Sequence, residues 1–131
     1  MVYLYSHINW LHLDILSYVP DTSRRGDKVA LAFNVQFLYY ILISSIYCVF
    51  KVSVLDKLSP EYLYLFFLRP EFDRYARYNS WGSAREVFSW GNMCNTMIPL
   101  PTITEQQKVV NAWKAFREIK EQNEAKAAPL M

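Results

Sequence analysis

Three glycines in 131 residues leave little material for a phosphate-cradling loop, and neither G-x-G-x-x-G nor G-x-x-x-x-G-K-[ST] occurs. Nucleotide binding by either of those devices is excluded. Histidine and cysteine are as scarce, at two each. Cys48 and Cys94 lie far apart, each without a C-x-x-C partner. His7 and His12 miss the i, i+4 spacing that sets two ligands on one helix face. No Ser–His–Asp or Cys–His arrangement is legible, so no metal, no cofactor and no catalytic residue is expected. For the thiols the expectation is a pair of buried, reduced side chains in a cytoplasmic protein. Charge is also undistinguished. It makes up 20% of the chain with a net of +2, a balance that does not by itself point to nucleic acid. The first charged residue is Asp14, so no basic segment precedes an apolar core and no signal peptide is expected.

Apolar residues are abundant instead. Hydrophobic content is 53% and aromatic content 17%, which excludes a disordered chain, and the length suits one domain with a real core. The run from Val29 to Phe50 carries no charge and is bracketed by Lys28 and Lys51. Two readings are open. Its length allows a bilayer span, which would make the protein a small membrane-associated one. Its Asn34, Gln36, Ser44 and Ser45, and the β-branched and aromatic residues from Ser45 to Val52, favour buried strands.

Along the chain, residues 1–19 mix aromatic and aliphatic side chains without clean periodicity. Pro20 to Lys28 is turn-rich and holds Arg24, Arg25 and Lys28: either a solvated connection or a set of phosphate contacts. Strands are expected at about 28–33 and 41–55. Ser59 is a good N-cap, Pro60 suits the first helical position and Glu61 favours the first turn, so a helix starts here. Its Tyr62–Leu68 run is apolar all round, which predicts burial. Arg69, standing before a proline, is biased away from helix, and Pro70 opens a second helix to Tyr78. There Phe72, Tyr75 and Ala76 share a face, leaving Asp73, Arg74 and Arg77 outward. Asn79-Ser80-Trp81-Gly82 reads as a turn. Ser83 and Glu86 make an S-x-x-E capping box, predicting a short helix through Val87 and Phe88. Its N-terminus beside Arg85 is either a plain structural cap or an anion site.

The segment Ile98-Pro99-Leu100-Pro101-Thr102-Ile103-Thr104-Glu105-Gln106-Gln107-Lys108-Val109-Val110 is the most informative of all. Two prolines end the globular part, and a capped helix follows, with Thr104 as N-cap and Gln107 closing the box. This helix is expected to run from Glu105 to about Ala128. Val109, Ala112, Phe116, Ile119 and Asn123 step by three and four as a heptad-like seam with Trp113 beside it, a face that implies a partner helix. Lys114–Glu118 and Lys120–Glu124 are expected as outer i, i+4 pairs.

That segment resembles the end of a target recognition domain in the DNA-specificity subunit of type I restriction–modification enzymes, where it leads into a helical spacer. Leu58 to Phe67, Arg69-Pro70-Glu71-Phe72 and Ser80 to Glu86 fall in the order of that family, and Ser23 to Lys28 follows it more loosely. The resemblance runs from about Asp21 to the C-terminus. It implies an α+β fold: a mixed recognition domain of short strands and helices, residues 1–103, followed by a long C-terminal helix, the spacer, residues 104–131. It also implies a non-catalytic, cytoplasmic subunit that reads double-stranded DNA and directs a methyltransferase (modification) subunit, with the restriction subunit and self-association through the terminal helix as further partners. No membrane partner is expected. Family members carry two recognition domains and two spacers; this chain is expected to represent one recognition domain, in part, and the start of one spacer. Within that picture Arg24, Arg25, Lys28, Arg74, Arg77 and Arg85 are the phosphate-contact candidates. Asn79, Ser80 and Trp81, with Gly82 and Ser83 in the same turn, are the candidates nearest the bases. Val109, Ala112, Trp113, Phe116 and Ile119 form the expected partner interface. A helical adaptor without a DNA role is the remaining alternative.

Overall fold

The computed structural model describes residues 2–4, 10–11, 15–20, 29, 31–33, 41–42, 46–82 and 87–127. The architecture is α+β and ends in a long helix. Six short strands come first: β1 (Val2–Leu4), β2 (Trp10–Leu11), β3 (Ile15–Tyr18), β4 (Leu31–Phe33), β5 (Ile41–Leu42) and β6 (Cys48–Val52). Four helices follow: α1 (Pro60–Phe67), α2 (Pro70–Tyr78), α3 (Trp90–Cys94) and α4 (Ile103–Lys126). An antiparallel four-stranded sheet has the order β1-β6-β3-β4, and β2 and β5 pair separately.

Three of these strands lie in the N-terminal stretch that showed no periodicity. They are two to four residues long, too short for alternation to register, and β1 and β3 both find their partner in distant β6. The uncharged run 29–50 contributes β4, β5 and the start of β6. Among the described residues no helix is long and apolar enough to cross a membrane.

Register decides what the sheet offers the helices. Leu16 stands opposite Phe50, and Tyr18 opposite Cys48, so these four side chains share one face. Leu16, Tyr18 and Phe50 are fully buried there with Leu63 and Phe67 of α1, Phe72 and Ala76 of α2, Phe88, and Met93 of α3. The rings meet edge-on or tilted, as at Tyr18–Phe88 (6.1 Å), Phe72–Phe88 (5.9 Å) and Phe67–Phe72 (4.6 Å). Each such buried side chain contributes about 1.5–3 kcal/mol. The Tyr18 hydroxyl donates to the Phe88 carbonyl at 3.1 Å, so the one polar atom of that core tyrosine is satisfied.

Local signals account for the helices. The Ser59 hydroxyl accepts from Tyr62 N–H at the start of α1, with Pro60 in its first turn. Arg69 is extended (φ −72°, ψ 139°) and starts α2 without a side-chain cap. Helix α3, which the sequence reading did not anticipate, is capped by Ser89 accepting from Asn92 N–H at 3.2 Å. In α4 the N-cap is Thr102 rather than Thr104. Thr102 accepts from Glu105 N–H at 3.3 Å, and the Glu105 carboxylate accepts from Thr102 N–H at 3.0 Å. Thr102-x-x-Glu105 and Thr104-x-x-Gln107 both satisfy the capping pattern. The earlier start puts a carboxylate rather than an amide in the box, where the helix dipole favours it.

Candidate functional site

Helix α2 presents the basic side chains. Phe72 and Ala76 are buried and Tyr75 half-buried, so the helix lies on the core by the expected face. Arg74 and Arg77 are exposed, as expected. Asp73 is not outward: it is half-buried, and its carboxylate accepts from Val29 N–H at 3.0 Å, tying α2 to the strand region. Glu71 at the helix start accepts from the Arg69 guanidinium at 3.5 Å and lies 4.0 Å from that of Arg74. Hydrogen bonding to its backbone holds the Glu71 carboxyl below its ordinary range, and the two arginines add to this. The acids thus sit at the N-terminal end of α2. From Arg74 to Gly82 there is no carboxylate.

In the turn after α2, part of the expected base-contacting set takes part in the fold itself. The Asn79 side-chain amide donates to Tyr75 O at 2.8 Å, and its backbone carbonyl accepts from the Asn92 amide at 2.8 Å. Ser80 is buried and donates its hydroxyl to Ala76 O. The Ser80 hydroxyl and the Asn79 amide nitrogen thus help to close the C-terminal end of α2. Trp81, by contrast, is 69% exposed, and Tyr78, outside the expected set, is 82% exposed. Tyr78 was legible as the residue one turn on from Arg74, on the same helix face.

Trp81 and Val87 form an antiparallel bridge, with Trp81 N–H donating to Val87 O at 3.1 Å and Val87 N–H to Trp81 O at 2.9 Å. Val87 and Phe88 are therefore not helical, against the expectation from the S-x-x-E pattern. Phe88 N–H donates instead to Pro20 O at 2.9 Å. Long-range pairing and the burial of Phe88 outweigh a local cap here. Gly82, next to the bridge, has φ 146°, a conformation in which a Cβ is strained. Arg24, Arg25, Lys28, Ser83 and Arg85 lie outside the described residues.

Helix α4 carries the second candidate surface. Its first two turns are docked: Gln106 and Val110 are fully buried against the domain. The Gln106 amide donates to Lys57 O (2.8 Å) and Pro101 O (2.9 Å) and accepts from Ser59 N–H (2.9 Å). Lys114 does not pair with Glu118; its ammonium lies 2.7 Å from Glu61 on α1. Lys120–Glu124 (3.8 Å) is present as expected, and Arg117–Glu121 (2.9 Å) accompanies it. The seam residues Val109, Ala112, Phe116 and Ile119 are exposed, Phe116 by 74%, while Trp113 is half-buried. At 3.6 residues per turn this stripe lies roughly 120° round the helix from Gln106 and Val110. The domain's own contact leaves it uncovered.

The thiols are unpaired but not both buried: Cys48 is half-buried and Cys94 exposed. Burial raises the Cys48 thiol, and burial followed by the neighbouring Cys48 raises Tyr18. Among the described residues no group of three or more His, Cys, Asp or Glu side chains is placed to hold a metal ion. Two small apolar hollows flank α1. One is a cavity of about 100 Å³ between Phe50, Leu63, Trp90 and Met93; the other is a groove of about 270 Å³ between Phe66, Phe72, Tyr75 and Met97. Neither gathers a nucleophile with a base.

No family model matches the chain, and no curated protein matches it.

Proposed function

We propose that the chain is a DNA-recognition module of the kind that serves as the specificity subunit of type I restriction–modification enzymes, or a part of one. The observation that carries this reading is the join at Ile98–Val110, whose wording resembles that family. There a proline-bounded exit enters a helix that is pinned to the domain over two turns and then leaves it with an apolar stripe uncovered. Such an element suits a recognition domain held on a spacer. The carboxylate-free stretch from Arg74 to Gly82, with two exposed arginines, is chemistry suited to phosphate. In this reading the module performs no reaction: a methyltransferase subunit docks on α4 and modifies the DNA that the module selects.

The test is binding of labelled duplex DNA by the chain, alone and with a methyltransferase subunit, across a range of salt concentrations. Affinity should fall steeply with salt. Arg74→Ala and Arg85→Ala should each flatten that slope by about one counterion, roughly equally for different DNA sequences. Absence of salt-dependent DNA binding in both preparations would leave the helical adaptor reading, which the exposed α4 stripe favours equally.

A further inference from the structure

Two aromatic side chains beside the arginines are largely exposed. Tyr78 is 82% exposed and Trp81 69% exposed, and neither ring packs on another aromatic ring among the described residues. Tyr75, one turn earlier, does the opposite: it stacks on Phe72 and meets Phe88 edge-on. The exposed pair is nevertheless mounted on a fixed base. Ser80 is bonded back to Ala76, Asn79 to Tyr75 and Asn92, and the Trp81 backbone to Val87 in both directions. Ring faces held this way lose little freedom when something stacks on them.

Resting on the DNA reading above, we propose that Tyr78 and Trp81 stack on unpaired bases, so that this surface takes DNA in which at least one base is out of the duplex. Three features select that ligand. Arg74, one helical turn before Tyr78, stands with Arg77 on the outer side of α2 and supplies charge for the flanking phosphates. No residue from Arg74 to Gly82 carries a carboxylate, and Glu71, at the start of the helix, lies 4.0 Å from Arg74. The flat faces of Tyr78 and Trp81 match the π-face of a base, and only an unpaired base exposes one.

The experiment uses the full chain and fluorescein-labelled oligothymidine of about 15 nucleotides, long enough for one site of this kind. It is compared with the same strand annealed to its complement, by anisotropy at two salt concentrations. The single strand should bind about ten-fold tighter than the duplex and quench tryptophan emission. Trp81→Ala and Tyr78→Ala should each weaken single-strand binding by about ten-fold and change duplex binding less than about two-fold. Trp81→Phe, which keeps a ring, should retain most of the affinity. Circular dichroism of each variant should match the parent, since both side chains project into solvent. Equal affinity for the two forms, or alanine variants that bind the single strand as the parent does, overturns the stacking role and leaves the DNA reading intact. A chain that binds neither form in a salt-dependent way, alone and with a methyltransferase subunit, overturns both. The tyrosine, tryptophan and arginines would then belong to a protein interface, where the same residue types dominate.

Discussion

Gln106 of α4 accepts a hydrogen bond from the backbone N–H of Ser59, the residue whose hydroxyl caps α1, at 2.9 Å. One buried amide therefore joins the start of α1 to the first turn of the exit helix, and its own N–H groups close the carbonyls of Lys57 and Pro101. The Lys114–Glu61 pair adds a contact between α1 and α4 two turns further on. The direction in which α4 leaves the domain is set by these contacts, not by the prolines alone.

Gln106→Leu keeps the volume and removes all three hydrogen bonds, leaving one N–H and two carbonyls without partners. The expected loss is about 1–3 kcal/mol per orphaned buried group, moderated where water reaches it. Urea denaturation should show a lower midpoint at unchanged slope. Lys114→Ala should cost less than about 1 kcal/mol, because its partner pair is substantially solvated despite the short distance. A Gln106→Leu variant as stable as the parent would show that the amide does not anchor α4.

Phe116→Ser with Ile119→Ser tests the uncovered stripe. Both residues are exposed, so the domain should keep its midpoint. Association with a second copy or with a methyltransferase subunit should weaken more than ten-fold, since burying each of these side chains contributes about 1.5–3 kcal/mol. Urea denaturation reads the midpoint and sedimentation velocity the association. Assembly unchanged by the double substitution would place the partner surface elsewhere.

Gly82→Ala should destabilise by about 1–3 kcal/mol through backbone strain at φ 146°. The Trp81–Val87 bridge beside it should loosen at the same time, visible as faster hydrogen exchange at the Trp81 and Val87 amides. A neutral thermal midpoint would mean that the turn relaxes to another conformation without cost.

Alkaline pH should unfold the protein selectively. Burial raises Cys48 above its ordinary 9.0 and Tyr18 above its ordinary 10.0. Both groups stay neutral in the fold while the unfolded chain ionises, so the stability they carry is intact below about pH 9 and declines as pH rises beyond it. Cys48→Ala should move the onset of that decline upward, as followed by circular dichroism between pH 8 and 11. In native protein near neutral pH, a thiol reagent should modify exposed Cys94 quickly and half-buried Cys48 more slowly.

Helix placement was largely legible in the sequence because its signals are local. Ser59-Pro60 and Arg69-Pro70 set two starts, and the apolar spacing of α2 named its buried face. The long exit helix followed from the same signals, and the α+β class from the resemblance. What the sequence left undecided depended on distant partners. Thr104 was the expected cap of α4, yet Thr102 takes that place, and the bonds of Gln106 to Lys57, Ser59 and Pro101 accompany the earlier start. Ser83-x-x-Glu86 promised a helix through Val87 and Phe88, yet Phe88 was claimed by the core and by Pro20. Asn79 and Ser80 carried the residue types of a base-reading loop, and only packing revealed that their polar atoms close a helix end. Capping and periodicity act within a few residues and can be read in one dimension. Burial, hydrogen-bond satisfaction and exposure are properties of the surroundings, and those exist only once the chain has folded.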